Sequence, residues 1–292
     1  MNLIEENKPV EDRSEPLPGS LYLVGTPIGN LSDLSERAKS ILKNISLIAC
    51  EDTRRSGKLL KTINSKAPLI SYHKHNIKSR LPQILEILKN NGSIALITDA
   101  GMPGISDPGE ELVRSARSNN HKVICIPGPC AAITALVISG LPSQRFCFEG
   151  FLPKKQNLRK EIINRISKEE RTTVIYESPH QIINLLCQLS EACGSDRPIQ
   201  IGRELTKRYE ESIGQTIKEA IEYFQINPPR GEFTIVLGGD TNHKKENIKD
   251  KIEAIKRLKR LINEGQKSKD AARIISEETG YSKNWLYSEL HK

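Results

Sequence analysis

From residue 21 to residue 237 the chain alternates short apolar runs with longer amphipathic ones, and few architectures accept that order. Apolar runs at 21–24, 46–50, 69–72, 94–98 and 122–126 predict strands. The stretches 33–44, 53–63, 77–89, 108–118 and 130–139 predict helices, the first capped by Ser32 or Asp33 with Glu36 near the reciprocal position. Repeated strand-then-helix order implies a mostly parallel sheet covered on both faces. Gly140-Leu141-Pro142-Ser143 marks a junction. A second series follows, with strands at 146–151, 172–176, 199–202 and 233–237 and helices at 157–167, 180–192 and 217–224. The expected organisation is a disordered tail over residues 1–19, α/β domains over 20–141 and 142–240, and a helical segment over 241–292.

The last segment differs in kind. It holds 13 Lys or Arg against 8 Asp or Glu, five of the chain's net charge of +8, and carries no strand pattern. Helices are expected at 249–263, at 269–279 behind a Ser268 cap, and at 283–291 behind a Ser282 cap, with Gly280 turning between the last two. Helix, glycine turn and short helix resemble a helix-turn-helix, which suits nucleic-acid contact. The alternative is a packing appendage with a basic face.

No apolar run approaches the roughly 20 residues that cross a bilayer. The polar N-terminus has no apolar segment of the kind a secretory signal needs. None of the six cysteines sits in a CxxC pair, which fits a reduced, cytoplasmic setting. His73 and His75 have no accompanying ligand cluster, so no metal site is expected. Phosphate-cradle and hydrolase signatures (GxxxxGK[ST], GxGxxG after the first strand, GxSxG, HExxH) are absent.

Four Gly/Pro loops follow strand ends: Gly25–Asn30, the run 101–109 inside TDAGMPGISDPG, Pro127–Cys130 and Glu177–His180. Glycine admits close backbone approach and proline fixes the path. In open α/β sheets ligands bind outside the carboxyl ends of strands, so four such loops from two domains point to one shared cleft.

LYLVGTPIGNLSDLSERA (21–38) opens a collinear set of motifs. IACEDTRRSGKLL (48–60), TDAGMPGISDPG (98–109), IPGPCAAITAL (126–136), LPSQRFCFEGFLPKK (141–155), YESPH (176–180), RELTKRYEE (203–211) and RGEFTIVLGG (230–239) follow. Together they resemble the bacterial ribosomal RNA small subunit methyltransferase I family of the tetrapyrrole methylase superfamily. The resemblance implies a two-domain tetrapyrrole methylase (class III methyltransferase) fold, α/β in class, with a small helical C-terminal domain. It also implies S-adenosylmethionine as methyl donor and 2′-O-methylation of cytidine 1402 of 16S rRNA, presented by the small ribosomal subunit, by a homodimer. A corrin-type small-molecule methylase and a non-catalytic RNA-binding assembly factor of the same fold are the alternatives; the basic C-terminal helices weigh against the first and the intact loops against the second.

On this resemblance the donor lies against Gly101, Met102 and Pro103, where Met102 stands in place of the aspartate of the superfamily's GDP-like motif. Gly104, Ile105 and Ser106 then offer backbone contacts. Pro129, Cys130 and Ala131 close the other side, with Pro27, Ile28 and Gly29 of the opening loop nearby and Tyr176 and Glu177 entering from the second domain. Asp99 is either a ligand for the ribose or ammonium or a turn aspartate. A hydroxyl acceptor must lose its proton, so a base is needed within hydrogen-bond reach. Glu51, Asp52 and Glu177 are the candidates. Glu51 and Asp52 are equally placed to cap the helix at 53, and Glu177 to pair with Arg203. Lys154 is a candidate to stabilise alkoxide charge. Lys154, Lys155, Arg159, Lys160 and Arg165 form one basic cluster and Arg54, Arg55 and Lys58 another; both suit phosphates, and both also suit solvated helix faces. Aromatic content is 4%, so base stacking is confined to a few rings such as Phe151 and Tyr176. Gln181 stands where the family commonly has arginine, which removes or shifts one contact to RNA or to an internal carboxylate.

Overall fold

The computed structural model of the protein describes the backbone of residues 15–290 and the side chains of 15–241 and 251–290. It divides into two compact units. One holds both sheets, in the chain through Ser167 and in Arg171–Gly238; the other holds Lys168–Glu170 and the C-terminal helices from Gly239.

In the first sheet the strands are β1 (Ser20–Val24), β2 (Leu47–Cys50), β3 (Leu69–Ser71), β4 (Ile94–Leu96) and β5 (Lys122–Ile126). Their spatial order is β3-β2-β4-β1-β5, and every pair is parallel. Successive strand residues face opposite sides. Leu21 therefore packs with Ile84, Leu88 and Leu112 from α3 (Ile77–Lys89) and α4 (Glu110–Ser118). Its neighbour Tyr22 packs with Ile41, Leu42 and Leu60 from α1 (Glu36–Asn44) and α2 (Thr53–Thr62). Both faces of the sheet are buried, as its near-continuous apolar strands require. The expected cap at Ser32 or Asp33 is corrected: Leu31–Asp33 is a single 3-10 turn under Asn30, and Ser35 caps α1 by accepting from the Ala38 N–H.

The second sheet is mixed. Its strands are β6 (Phe146–Phe151), β7 (Thr172–Glu177), β8 (Ile199–Arg203), β9 (Glu211–Ile213) and β10 (Phe233–Leu237), in the order β6-β7-β10-β8-β9. Only β6 and β7 pair in parallel; β10 enters antiparallel between β7 and β8, and β9 returns antiparallel along β8. Helices α6 (Gln156–Ser167), α7 (Ile182–Cys193) and α8 (Ile217–Ile226) bury one face. The other face receives α5 (Ala131–Ile138), which follows β5 of the first sheet: Ala132, Ala135 and Leu136 pack with Val174 and Val236. Strand β6 carries a bulge. Its register to β7 shifts between Phe148 and Gly150, and Gly150 takes φ 61°.

Within the C-terminal unit, α9 (Asn242–Asn263), α10 (Ser268–Thr279) and α11 (Lys283–Glu289) share a core of Ala254, Leu258, Ala271, Ile275 and Leu286. α9 begins earlier than its apolar pattern suggests, because its first two turns are polar. Gly280 at φ 75° ends α10, and Ser282 caps α11 by accepting from Trp285 N–H. The Ser268 cap is corrected: Lys267 occupies that position without a side-chain bond, and Ser268 is the first helical residue. Of the tail expected over 1–19, residues 1–14 lie outside the described residues, while Glu15 pairs with Arg37 at 2.8 Å and Leu17 N–H donates to Tyr22 Oη. Among the described residues no helix is long and apolar enough to cross a membrane.

The loops after β1 and β5 touch backbone to backbone. A Cβ on Gly25 would lie 2.6 Å from Gly128 Cα. Gly25→Ala is therefore expected to destabilise the first sheet by about 1–3 kcal/mol in chemical denaturation, the cost of overpacking where neither backbone can yield.

Candidate functional site

All four Gly/Pro loops reach one cleft of about 500 Å³ between the two sheets. The three from the first sheet are knitted by backbone. Thr26 and Gly101 exchange N–H···O bonds of 2.9 and 3.1 Å, Gly25 N–H donates to Ile126 O, and Thr26 Oγ1 donates to Thr98 O. Ile28, Gly101 and Cys130 thereby line the cleft from three loops, and Ser178 and Pro179 line it from the fourth. Loop 101–109 closes against the second sheet: a Cβ on Gly150 would meet Ser106 Oγ at 3.0 Å.

One wall is apolar and aromatic. Tyr176 stacks edge-on with Phe148 at 5.1 Å and tilted with Phe151 at 5.4 Å, and Phe151 remains 62% exposed at the mouth. Tyr176 Oη accepts from Ala132 N–H at the start of α5, and burial pushes its phenol up to about 12. The first-sheet part of the lining is acidic. Glu51, Asp99 and Asp107 line it, each at the end of a first-sheet strand or in the loop beyond. Asp99 accepts from Arg55 Nη1 at 3.2 Å and from Asp52 N–H at 3.4 Å. Asp107 is pushed up to about 6, by burial first and then by the Glu51 and Asp99 charges, against a smaller pull from Lys74.

Of the residues expected to hold the donor, Ile28, Asp99, Gly101, Met102, Ile105 and Ser106 line the cleft, as do Cys130, Ala131 and Tyr176. Pro27, Gly29, Pro103, Gly104 and Pro129 do not; Gly29 instead packs on Leu205 and Thr206 of the second half. Among the candidate bases, Glu51 and Glu177 line the cleft and Asp52 does not. Asp52 caps α2, and the Arg54 guanidinium, with the Arg54 N–H, holds its carboxyl well below the usual carboxylate range.

Arg159 corrects the reading of the basic cluster. It is 5% exposed, and its guanidinium donates to Glu177 Oε2 at 2.9 Å and to Gln188 Oε1 at 2.9 Å. It is a buried structural cation and not a surface contact for phosphate. Its pairing also replaces the expected Glu177–Arg203 contact, since Arg203 binds Glu211. Gln181 is exposed, so the internal carboxylate Glu177 takes its arginine from α6. Lys154, Lys155 and Lys160 are exposed, as are Arg54, Arg55 and Lys58; of these only Arg55 reaches the cleft. Asp107, Ser178 and Glu232 line it without having been singled out as site residues. Among the described residues no cluster of His, Cys, Asp and Glu could hold a metal ion.

The family described as tetrapyrrole (corrin/porphyrin) methylases matches residues 20–221. Ribosomal RNA small subunit methyltransferase I of Haemophilus influenzae is 45% identical over 275 residues, covering 93% of this chain and 96% of that one. The protein of the same description from Synechocystis is 43% identical over 274 residues, covering 92% and 96%. Uroporphyrin-III-C-methyltransferase from Thermus thermophilus superposes with a TM-score of 0.54 at 17% identity, over 75% of this chain and 94% of that one. The chain therefore belongs to the tetrapyrrole methylase family and, within it, to the ribosomal RNA small subunit methyltransferase I family.

The Arg159–Glu177 pair is 6% and 7% exposed, so removing one partner strands a charge. Arg159→Ala is expected to cost about 3–5 kcal/mol in urea unfolding, and Arg159→Met combined with Glu177→Leu much less.

Proposed function

We propose that this protein is an S-adenosylmethionine-dependent methyltransferase that methylates the 2′-hydroxyl of cytidine 1402 in 16S rRNA within the small ribosomal subunit. One observation carries the reading: four loops enclose a single cleft lined by both carboxylates and aromatic rings. That donor set fits the methyl donor, a cation with a flat base. Asp99 and Glu51 suit its cationic groups, while Ile28, Met102 and Tyr176 suit its apolar surfaces. Gly101, at φ 87°, leaves room that a side chain would take, because a Cβ there would meet Ile28 at 3.3 Å. Bound S-adenosylmethionine supplies a methyl group already activated by its sulfonium. The protein's own contribution is then to orient the acceptor ribose and exclude water.

The same cleft explains how an anionic polymer is kept to the rim. Carboxylates inside repel phosphate, whereas exposed Lys154 and Lys155 follow Phe151 at the mouth, and Arg54 and Lys58 follow Glu51 on α2. An acceptor ribose must swing out of its stack to enter, and exposed Phe151 is placed to receive its base. The basic C-terminal helices are read as a second RNA contact, and the compartment as the cytoplasm. A homodimer is supported by α5, whose outward Ile133, Val137 and Ile138 are 46%, 74% and 42% exposed.

The deciding experiment maps 2′-O-methyl groups on small-subunit RNA from cells with and without the gene. Loss of one methyl at cytidine 1402, restored by the wild-type gene, is the expected result; an unchanged map overturns the reading. Lys154→Glu with Lys155→Glu is expected to weaken binding to the small subunit and reduce the slope of log affinity against log salt by about one per lost phosphate contact. Val137→Asp is expected to shift sedimentation from dimer to monomer.

A further inference from the structure

Resting on the methyl-transfer reading, we propose that Asp107 is the general base, the group that takes the proton of the acceptor hydroxyl. The other carboxylates near the cleft are engaged or differently placed, Glu232 among them, since it accepts from Lys207 Nζ at 3.1 Å. Asp52 is held by Arg54, Glu177 by Arg159 and the Ser178 N–H, and Asp99 by Arg55 and the Asp52 N–H. Glu51 is exposed and solvated. Asp107 lies half-buried in the cleft wall, with its backbone fixed on both sides. Ser106 before it is in the left-handed region at φ 62°, an unfavourable conformation for serine, and is wedged against Gly150 of β6; Pro108 follows it. One carboxylate held on a fixed backbone thus lines the same cleft as Tyr176, close enough for its charge to act on that phenol.

Every group facing Asp107 bears on its protonation. Glu51 from the end of β2 and Asp99 from the end of β4 disfavour its charge, as does burial. Lys74 beyond β3 and the Thr98 hydroxyl favour it, and Tyr176 on β7 stays a neutral phenol. The balance places its affinity for a proton near 6, so at neutral pH it is a carboxylate able to accept one. In the step, the ribose oxygen gains the methyl carbon as the carbon–sulfur bond breaks. The bonding pair stays on sulfur in a neutral thioether, and the hydroxyl proton passes to Asp107.

The test compares wild type, Asp107→Asn and Asp107→Glu in full-length protein. Single-turnover methyl transfer to unmethylated small subunits is followed against pH, donor binding is followed by calorimetry, and the Asp107 carboxyl is titrated by carbon-13 NMR. The wild-type rate is expected to fall as pH drops through about 6, where the carboxyl resonance titrates. Asp107→Asn should lose about 100-fold or more in rate and the acid limb of the profile, with donor affinity retained, and Asp107→Glu should recover part of the rate. Because the folded state holds this proton more tightly than the unfolded chain, ionising Asp107 costs stability, and the cost grows as pH rises from the ordinary aspartate range through about 6. Asp107→Asn should therefore melt higher than wild type at pH 8, and that gain should vanish below the ordinary aspartate range. An unchanged rate in Asp107→Asn, a carboxyl titrating near the ordinary aspartate value, or a rate loss matched by an equal loss of donor affinity would each overturn the assignment. A wild-type protein that binds donor yet methylates no RNA overturns the functional reading instead, and the assignment with it.

Discussion

The packing of one short helix against a sheet to which it does not belong holds the molecule in its working arrangement. Helix α5 leaves the first sheet after β5 and lays Ala132, Ala135 and Leu136 on Val174 and Val236 of the second. Small residues bring helix and sheet close, and α5 also offers the Ala132 N–H to Tyr176 Oη. The loops at the ends of β1, β4 and β5 are tied to one another by backbone bonds, so fixing α5 fixes all three. The cleft is then a consequence of packing, and the absence of a side chain at Gly150 leaves the space that Ser106 Oγ occupies, which a Cβ there would meet at 3.0 Å.

Charge is divided along the depth of that cleft. Carboxylates near the strand ends make a local field that welcomes a cation, and apart from Arg55, which pairs with Asp99, the basic residues Arg54, Lys58, Lys154 and Lys155 sit outside it on α2 and beyond β6. Effective dielectric falls inward, so the inner charges act strongly at short range while the outer ones are screened over about 8–10 Å. One donor and one polyanion are thereby addressed separately by neighbouring groups. Glu177 also lines the cleft, and its buried pairing with Arg159 compensates a negative charge that would otherwise add to that field.

Much of the fold was legible in the sequence, because strands buried on both faces are written as continuous apolar runs, and β1, β2, β4 and β10 fall within a residue or two of where those runs lie. Strand β9 escaped because three residues with an exposed serine at the centre carry no such pattern. The α1 cap was misplaced because Ser32, Asp33 and Ser35 are all capping residues; the choice among them is made by the 3-10 turn under Asn30, a tertiary detail. The four loops were legible by composition, and so was their convergence. Arg159 was not, since its carboxylate lies 18 residues on and across the sheet, and local sequence shows only another base among lysines. Asp107 sat in full view inside the loop, but what distinguishes it is burial beside Glu51 and Asp99, which arrive from other strands.

The irregularity in β6 has a further meaning. Pleated alternation would send positions 148 and 151 to opposite sides of the sheet. With one residue left unpaired between Phe148 and Gly150, the parity is reset, and both rings reach Tyr176 from the same side. The strand thus counts in twos up to Phe148 and starts counting again at Gly150. Were the same residues paired in regular alternation without the bulge, Phe151 would turn toward the helices and Leu152 away from their core, exchanging an aromatic lip for a hole in the core without changing a single residue of the sequence.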